Sequence, residues 1–403
     1  MLAESIPVTE FIQPTTPQEL FMKGPIDPVE NPYDIFKAMR ENEPVGEYGY
    51  SYYIANYEFA AQALRDDEAF SSKSNSPDYP GIGMVFGQTI VGMNGTEHLK
   101  HRNLITPALR PKALGDDFRE RAQNTADRLI DKFIASGRSN LVPDFTFLYP
   151  LSVFVQILGL PEEDAGDFHK WGIDLTHVAS DPERGLRGSA CLKDYLEPVI
   201  VEKRDCPQDD LIGKLIAAEV MGEQMTDEEI IAFLRLLITG GADTTYHLLG
   251  NVLHTLLNNP VLLELVSNDR SKLEPLLWES LRWEAPVQFV SRQTNYEVEI
   301  GGVVIPADKP VSILLGSSNR DESVFPNADI FDIDRDGAKS LSFGFGKHYC
   351  AGADFGLTEA TIGLNALLDR LPDLRFDPDA GSESIVRGVA FRGPSHLKVA
   401  FNA

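Results

Sequence analysis

The sequence predicts one domain spanning residues 1–403, mainly α-helical with small β-sheets. Three observations carry that prediction. From Glu97 onward apolar residues recur at helical spacing, as over residues 116–135, and that run ends near Gly137. Thr226 and Glu229 stand in the S/T-x-x-E capping pattern, at the head of a run that reaches Asn258 before Pro260. Strand-type residues are confined to short stretches bounded by turn residues.

The elements follow in order. Residues 1–30 carry many prolines and read as an extended segment. A first β region covers 45–55, rich in Tyr and Gly. Residues 68–95, rich in Ser, Gly and Pro, read as a long loop, and long loops in compact proteins are often functional. Residues 145–158 are apolar nearly all round and stop at Gly159-Leu160-Pro161. Amphipathic, acidic segments continue to about Arg204, and 209–221 reads as a further helix. The run after Thr226 is the longest, and its middle, 233–238, is apolar on most faces, so it is expected to be buried. A second β region covers 298–315, with turns at Gly301-Gly302 and Ala307-Asp308-Lys309, and the alternating tail 390–401 reads as a final hairpin.

Composition narrows the function classes. The formal net charge is −25 and no dense Lys/Arg run appears, so neither a nucleic acid nor an anionic membrane surface is an expected partner. Three cysteines, Cys191, Cys206 and Cys350, give no disulfide framework. With no signal-peptide pattern and no apolar run long enough to span a bilayer, a soluble cytoplasmic protein, expected to be monomeric, is the reading.

Residues 343–352 read Phe-Gly-Phe-Gly-Lys-His-Tyr-Cys-Ala-Gly, and a helix pattern begins just after them. Cys350 therefore stands at a helix N-terminus, where unpaired N–H groups and the dipole favour anionic sulfur and suit it to metal ligation. Read alone, a lone cysteine is more often a small buried hydrophobe. Residues 240–245 read Gly-Gly-Ala-Asp-Thr-Thr, in the middle of the long helix. Two mid-helix glycines cost about 1 kcal/mol each relative to Ala, which suggests that something approaches the backbone there or that helices pack closely. Thr244 is placed to back-bond to the Gly240 carbonyl, and burial of Asp243 would perturb its pKa. Glu279 and Arg282 are three apart on one helix face, a spacing that by itself describes a solvated surface pair.

Together these segments resemble the cytochrome P450 family. F-x-x-G-x-H-x-C-x-G is similar to its heme-binding loop, and the likeness runs from about Asn31 to the end with the motifs in family order. The resemblance implies the cytochrome P450 fold, heme b as cofactor and Cys350 as axial iron ligand, with Phe343, His348 and Gly352 beside the heme. It implies that Gly240–Thr245 is the oxygen-binding stretch, with Gly241 and Ala242 flanking the oxygen site and Asp243 and Thr244 relaying protons. It implies that Glu279, Arg282 and a third partner, Arg335, are structural, and that His98, Arg102 and Arg292 join His348 on the propionates. Arg110 stands where an aromatic residue is common and Glu322 where Pro is frequent, and neither position touches the chemistry.

The same resemblance nominates Val85, Phe86, Leu237, Gly241, Val287, Val290 and Phe391 as substrate-pocket residues. Their apolar character favours a small hydrophobic substrate, although each is equally an ordinary core residue. The expected reaction is O2-dependent oxidation of a C–H bond, as hydroxylation or oxidative O-demethylation. The length is filled by the one heme domain, so electrons are expected from a ferredoxin and its NAD(P)H-dependent reductase. The alternative is a heme-thiolate protein that does not activate O2, of isomerase or peroxygenase type, and Asp243 and Thr244 argue against it.

Overall fold

A reciprocal cap sets the longest element. In the computed structural model, which describes residues 12–24, 27–115, 117–179, 181–335, 339–380 and 384–402, Thr226 Oγ1 accepts from the Glu229 N–H and the Glu229 carboxylate accepts from the Thr226 N–H. Two donors that a helix start would leave unpaired are thereby satisfied. The helix Asp227–Asn258 runs 32 residues from that cap, about 48 Å at the α-helical rise. It packs against Leu148–Ile157, Ala165–Thr176, Pro182–Asp205, Leu273–Trp283 and Ala353–Arg370. Its central residues Phe233, Leu234, Leu237 and Ile238 are buried, as an apolar all-round segment must be.

The sheets are small and peripheral. Val45–Tyr48 and Ser51–Ile54 form a hairpin around Gly49, whose φ of +60° suits glycine. Their sheet continues through Pro310–Ile313 and Val290–Thr294 to Phe70–Ser71. Pairing of Val311 with Arg292 fixes the register that carries the Arg292 side chain. Val298–Ile300 and Val303–Ile305 close a separate hairpin over Gly301-Gly302.

Several local expectations are revised. The tail is not a hairpin with itself: Gly393–Pro394 pairs with Val386–Arg387, whereas Lys398–Ala400 pairs with Arg375–Phe376 and Arg138–Asn140. Alternation reports a half-buried strand but not its partner. The helix read over 209–221 stops at Ala217 and gives way to the hairpin of Glu219–Val220 and Glu223–Gln224, because Gly222 at φ +80° turns the chain. Of the N-terminal segment, residues 1–11 and 25–26 lie outside the described residues. Pro17–Phe21 is a short helix capped by Thr16, with Pro in its first turn, where its missing N–H costs nothing. Within the loop 68–95, Gly83–Phe86 makes one helical turn. It is tied down where Ser189 Oγ donates to the Val85 carbonyl at 2.6 Å and Arg235 Nε donates to the Ser189 carbonyl at 3.2 Å.

Candidate active site

The loop before Ala353–Arg370 delivers Cys350 by backbone geometry. Gly344 and Gly346 both sit at φ +72°, and a Cβ on Gly346 would stand 2.9 Å from the Leu64 carbonyl. Glycine is therefore required for this loop to lie against the helix Tyr57–Arg65. The Cys350 N–H donates to the Phe343 carbonyl at 2.7 Å, closing the loop. The Phe343 ring packs edge-on against Trp278 at 5.5 Å. Gly352 caps the following helix and nothing crowds its Cα.

The Cys350 residue is exposed, yet burial pushes its thiol up, opposed by the Gly352 N–H and by Arg102. Accessibility and desolvation coexist when a side chain faces an internal cavity. Beside it a group of donors converges. The rings of His98 and His348 lie 4.0 Å apart. Burial, with the nearby Arg102 charge, lowers His98 to about 4. Burial, then Arg292 and His98, lowers His348 to about 3. Burial likewise lowers Arg292 to about 10.

The partners of these groups are few. His98 Nε2 is buried without a hydrogen-bond partner. His348 Nε2 is within 3.3 Å of Ser72 Oγ, and Arg292 donates to its neighbour Ser291's carbonyl. Asp67, the acid nearest this group, is taken by Lys347 at 2.7 Å. Four donors, two of them histidines held down by burial and by Arg102 and Arg292, with no bonded carboxylate among the described residues, fit a ligand that brings anionic groups. Heme b, with two propionates and an iron that takes a thiolate, meets that description.

The long helix presents two faces here. Leu236, Gly240 and Thr244 recur at four-residue spacing on one of them. Gly240 is exposed although Ile238, Thr239 and Ala242 around it are buried, so this face borders open space. Thr244 Oγ1 donates back to the Gly240 carbonyl at 2.7 Å, which slightly bends a helix. The reading of Gly241 as a residue touching cofactor and substrate is corrected. A Cβ there would fall 2.4 Å from the Phe154 ring, so Gly241 serves helix packing and Gly240 is the open glycine.

Asp243 lies on the adjoining flank, in a hollow shared with Phe147, Phe168, Ile238, Thr239, Ala242 and Tyr246. That hollow holds about 10 Å³, close to one water. Burial raises the Asp243 carboxyl to about 7. Between pH 4 and 7 the folded protein thus keeps a proton the unfolded chain has released, so stability falls as pH rises through that window. Asp243→Asn is expected to be more stable than the parent near pH 8, by at most ~4 kcal/mol, and equal to it near pH 4. Urea melts at the two pH values check this, and equal stability near pH 8 would refute it.

The other nominated residues separate. Glu279 and Arg282 are fully buried and bidentate, at 2.7 Å for each contact. Arg335 Nε stands 3.5 Å from Glu279 Oε1, while its Nη1 donates to the Pro326 carbonyl. Val287 bridges Phe391 across to the tail, and both are partly exposed, as is Val290. Phe86 and Leu237 are 5% and 9% exposed. Val85 is corrected as a pocket residue: it has no accessible surface and packs toward Gly185.

Sequence reasoning missed Leu236, which counting back in fours from Thr244 would have found, and it placed Gly240 in the oxygen-binding stretch without singling it out as the open glycine. It also passed over Glu359. Burial holds this carboxyl well above the ordinary range beside Thr245. No sequence pattern separates such a Glu from one on a solvated helix face.

Comparison with known proteins decides the family. The cytochrome P450 family model matches residues 183–391, which include Cys350 and the long helix. The chain belongs to the cytochrome P450 family. Pulcherriminic acid synthase of Bacillus subtilis is 31% identical over 92% of this chain and 95% of its own length. A steroid C26-monooxygenase of Mycobacterium tuberculosis is 31% identical over 85% of this chain and 87% of its own.

Among solved structures, cytochrome P450 CYP109Q5 from Chondromyces apiculatus superposes with a TM-score of 0.85 at 33% identity, covering 93% of this chain and 96% of that one. CYP109E1 from Bacillus megaterium, solved with testosterone, gives 0.84 at 27% identity over 93% and 100%. The protein is thus a bacterial-type P450 oxidoreductase with the helix-rich P450 fold and heme b as cofactor. Bacterial P450s draw electrons from redox partners. Among the described residues no helix is long and apolar enough to cross a membrane.

Proposed function

We propose that this P450 is a heme-thiolate monooxygenase that oxidises a C–H bond of a small hydrophobic substrate, by hydroxylation or oxidative O-demethylation. The observation that carries the reading is Cys350, accessible yet desolvated, beside the donor group of His98, Arg102, Arg292 and His348. Cys350 is the iron ligand, with Phe343 and Gly352 shaping its loop, and the donor group holds the propionates. Heme b bound there supplies dioxygen reduction and insertion of one oxygen atom into a C–H bond.

The chain's own residues govern protons and position. Gly240 leaves room above the backbone, and Thr244, held by its bond to the Gly240 carbonyl, presents a hydroxyl to that space. Asp243, titrating near 7, holds or gives up a proton at working pH, which suits a general acid. Its place on the adjoining flank means the proton reaches Thr244 through side-chain rotation or an intervening water. Leu236, Val287, Val290 and Phe391 offer apolar walls, with Phe86 and Leu237 behind them, and exclude water from the reacting centre.

Electrons come from a ferredoxin and its NAD(P)H-dependent reductase, and the whole chain works as one domain. The pair Asp243 and Thr244 favours this over a heme-thiolate isomerase or peroxygenase, which needs no proton relay to dioxygen. Reconstitution with both partners tests the reading. Thr244→Ala is expected to keep consuming NAD(P)H while product per NAD(P)H falls about tenfold or more. Unchanged coupling removes Thr244 from the relay, and turnover by the chain alone with NAD(P)H overturns the need for partners.

A further inference from the structure

The open face of the long helix does not end at Thr244. Leu236, Gly240, Thr244 and His247 follow at spacings of four, four and three, which keeps them on one side of an α-helix. The His247 imidazole reaches toward the tail. A Cβ on Gly393 would stand 2.3 Å from His247 Nδ1, 3.3 Å from Cγ and 3.4 Å from Cε1. The Nδ1 edge therefore faces Gly393, and glycine at 393 is what admits the ring. Nδ1 is buried and has no hydrogen-bond partner. The residue as a whole is only half-buried, so its accessible surface lies on the opposite edge, where Nε2 is.

The neighbours of the ring are aromatic. Tyr246 lies 4.2 Å away, centroid to centroid, and Phe391 lies 6.3 Å away and nearly parallel, at 17°. Phe391 in turn bridges Val287. His247 is thus a polar group set among the apolar walls, one helical turn beyond the Thr244 hydroxyl. Burial alone pushes the imidazole down to about 4, so the ring is neutral at working pH and carries one N–H. A buried N–H left without an acceptor is rarer and costlier than an unused lone pair. The proton therefore belongs on Nε2, where it points to open space as a donor.

We infer that His247 is a specificity-determining residue, whose Nε2–H anchors a hydrogen-bond-accepting oxygen of the substrate at the end of the pocket walled by Phe391 and Val287. This rests on the apolar-pocket reading above and deepens it. The substrate is an apolar skeleton carrying a carbonyl or ether oxygen, held some distance from the carbon that is oxidised. A site built around one buried polar group discriminates against the analogue that lacks its partner.

Optical titration of the ferric, heme-loaded protein tests the inference with a matched pair, 2-adamantanone and adamantane. The readout is the Soret shift at equilibrium, independent of turnover. The ratio of the two dissociation constants is expected to move roughly three- to tenfold toward the hydrocarbon in His247→Leu. His247→Gln, which keeps an N–H donor, is expected to retain part of the preference for the ketone. A normal carbon monoxide spectrum of each reduced variant confirms that the heme pocket is intact. If the leucine variant does not load heme, the glutamine variant set against the parent carries the same comparison. An unchanged ratio overturns the anchor and leaves the apolar-pocket reading standing. Failure of both ligands to shift the Soret band in the parent protein overturns that reading and the anchor with it.

Discussion

Cys350→Ser is expected to abolish the thiolate-type carbon monoxide spectrum of the reduced protein and to reduce substrate turnover to background, while the helical circular dichroism is retained. The separation of the two readouts follows from where the residue sits. Cys350 makes no packing contribution that a serine would undo: the residue is exposed, and its structural contact is the backbone bond from its N–H to the Phe343 carbonyl, which any residue makes. What serine removes is the electron-donating sulfur that favours O–O cleavage. The same logic separates ligand from cradle. His98→Ala and Arg292→Ala delete donors from a group of four and leave the sulfur in place. A variant at Cys350 that kept the thiolate-type spectrum would show that another residue holds the iron.

Glu279→Gln has the second large effect, and it is on stability. The Glu279 carboxylate takes two bonds from Arg282 at 2.7 Å and one from the Asp332 N–H at 2.8 Å. Arg282 also donates to the carbonyls of Asn319 and Ala328, at 3.0 and 2.8 Å, and of Ile330 at 3.2 Å. Both side chains are fully buried, so removing the negative member leaves a guanidinium with no counter-charge in the interior. Breaking a buried pair in this way costs about 3–5 kcal/mol, a large part of an ordinary domain's stability. Arg282→Lys is expected to fail for a different reason, because a single ammonium cannot make the fork to Glu279 and reach three carbonyls at once. Denaturant melts of the heme-loaded protein measure both. A Glu279→Gln midpoint within error of the parent would mean that the Arg335 and Arg282 charges are satisfied elsewhere.

These two sites differ in how much of them could be read from the chain. The cysteine loop is local: Phe343, Gly344, Gly346, His348, Cys350 and Gly352 lie within ten residues, and the glycines are needed by the loop's own backbone. The Glu279–Arg282 pair has a spacing shared with countless surface pairs, and only its burial under the 319–335 segment distinguishes it. The long helix was legible as an element, through its cap and apolar middle, but not in its rotational setting. A helix pattern gives faces relative to one another, not which face meets which neighbour. Gly240 and Gly241 exchanged roles for that reason once Phe154 was seen to fill the space over Gly241.

The tail failed differently, since its strands find partners more than two hundred residues away at Arg138–Asn140 and close by at Val386–Arg387. His247 and Glu359 carry no local signature, and their shifts come chiefly from burial in the folded protein.

We propose that the space on the accessible side of Cys350 is an apolar substrate site of a heme-thiolate monooxygenase. The most direct test is an optical titration of the purified ferric protein with methoxylated aromatics, terpenoids, medium-chain fatty acids and O-methyl sugars. A low- to high-spin Soret shift is expected with an apolar class that bears an accepting oxygen, as substrate displaces water from the site. No shift with any class, in a protein whose reduced form gives a normal thiolate-type carbon monoxide spectrum, would contradict it.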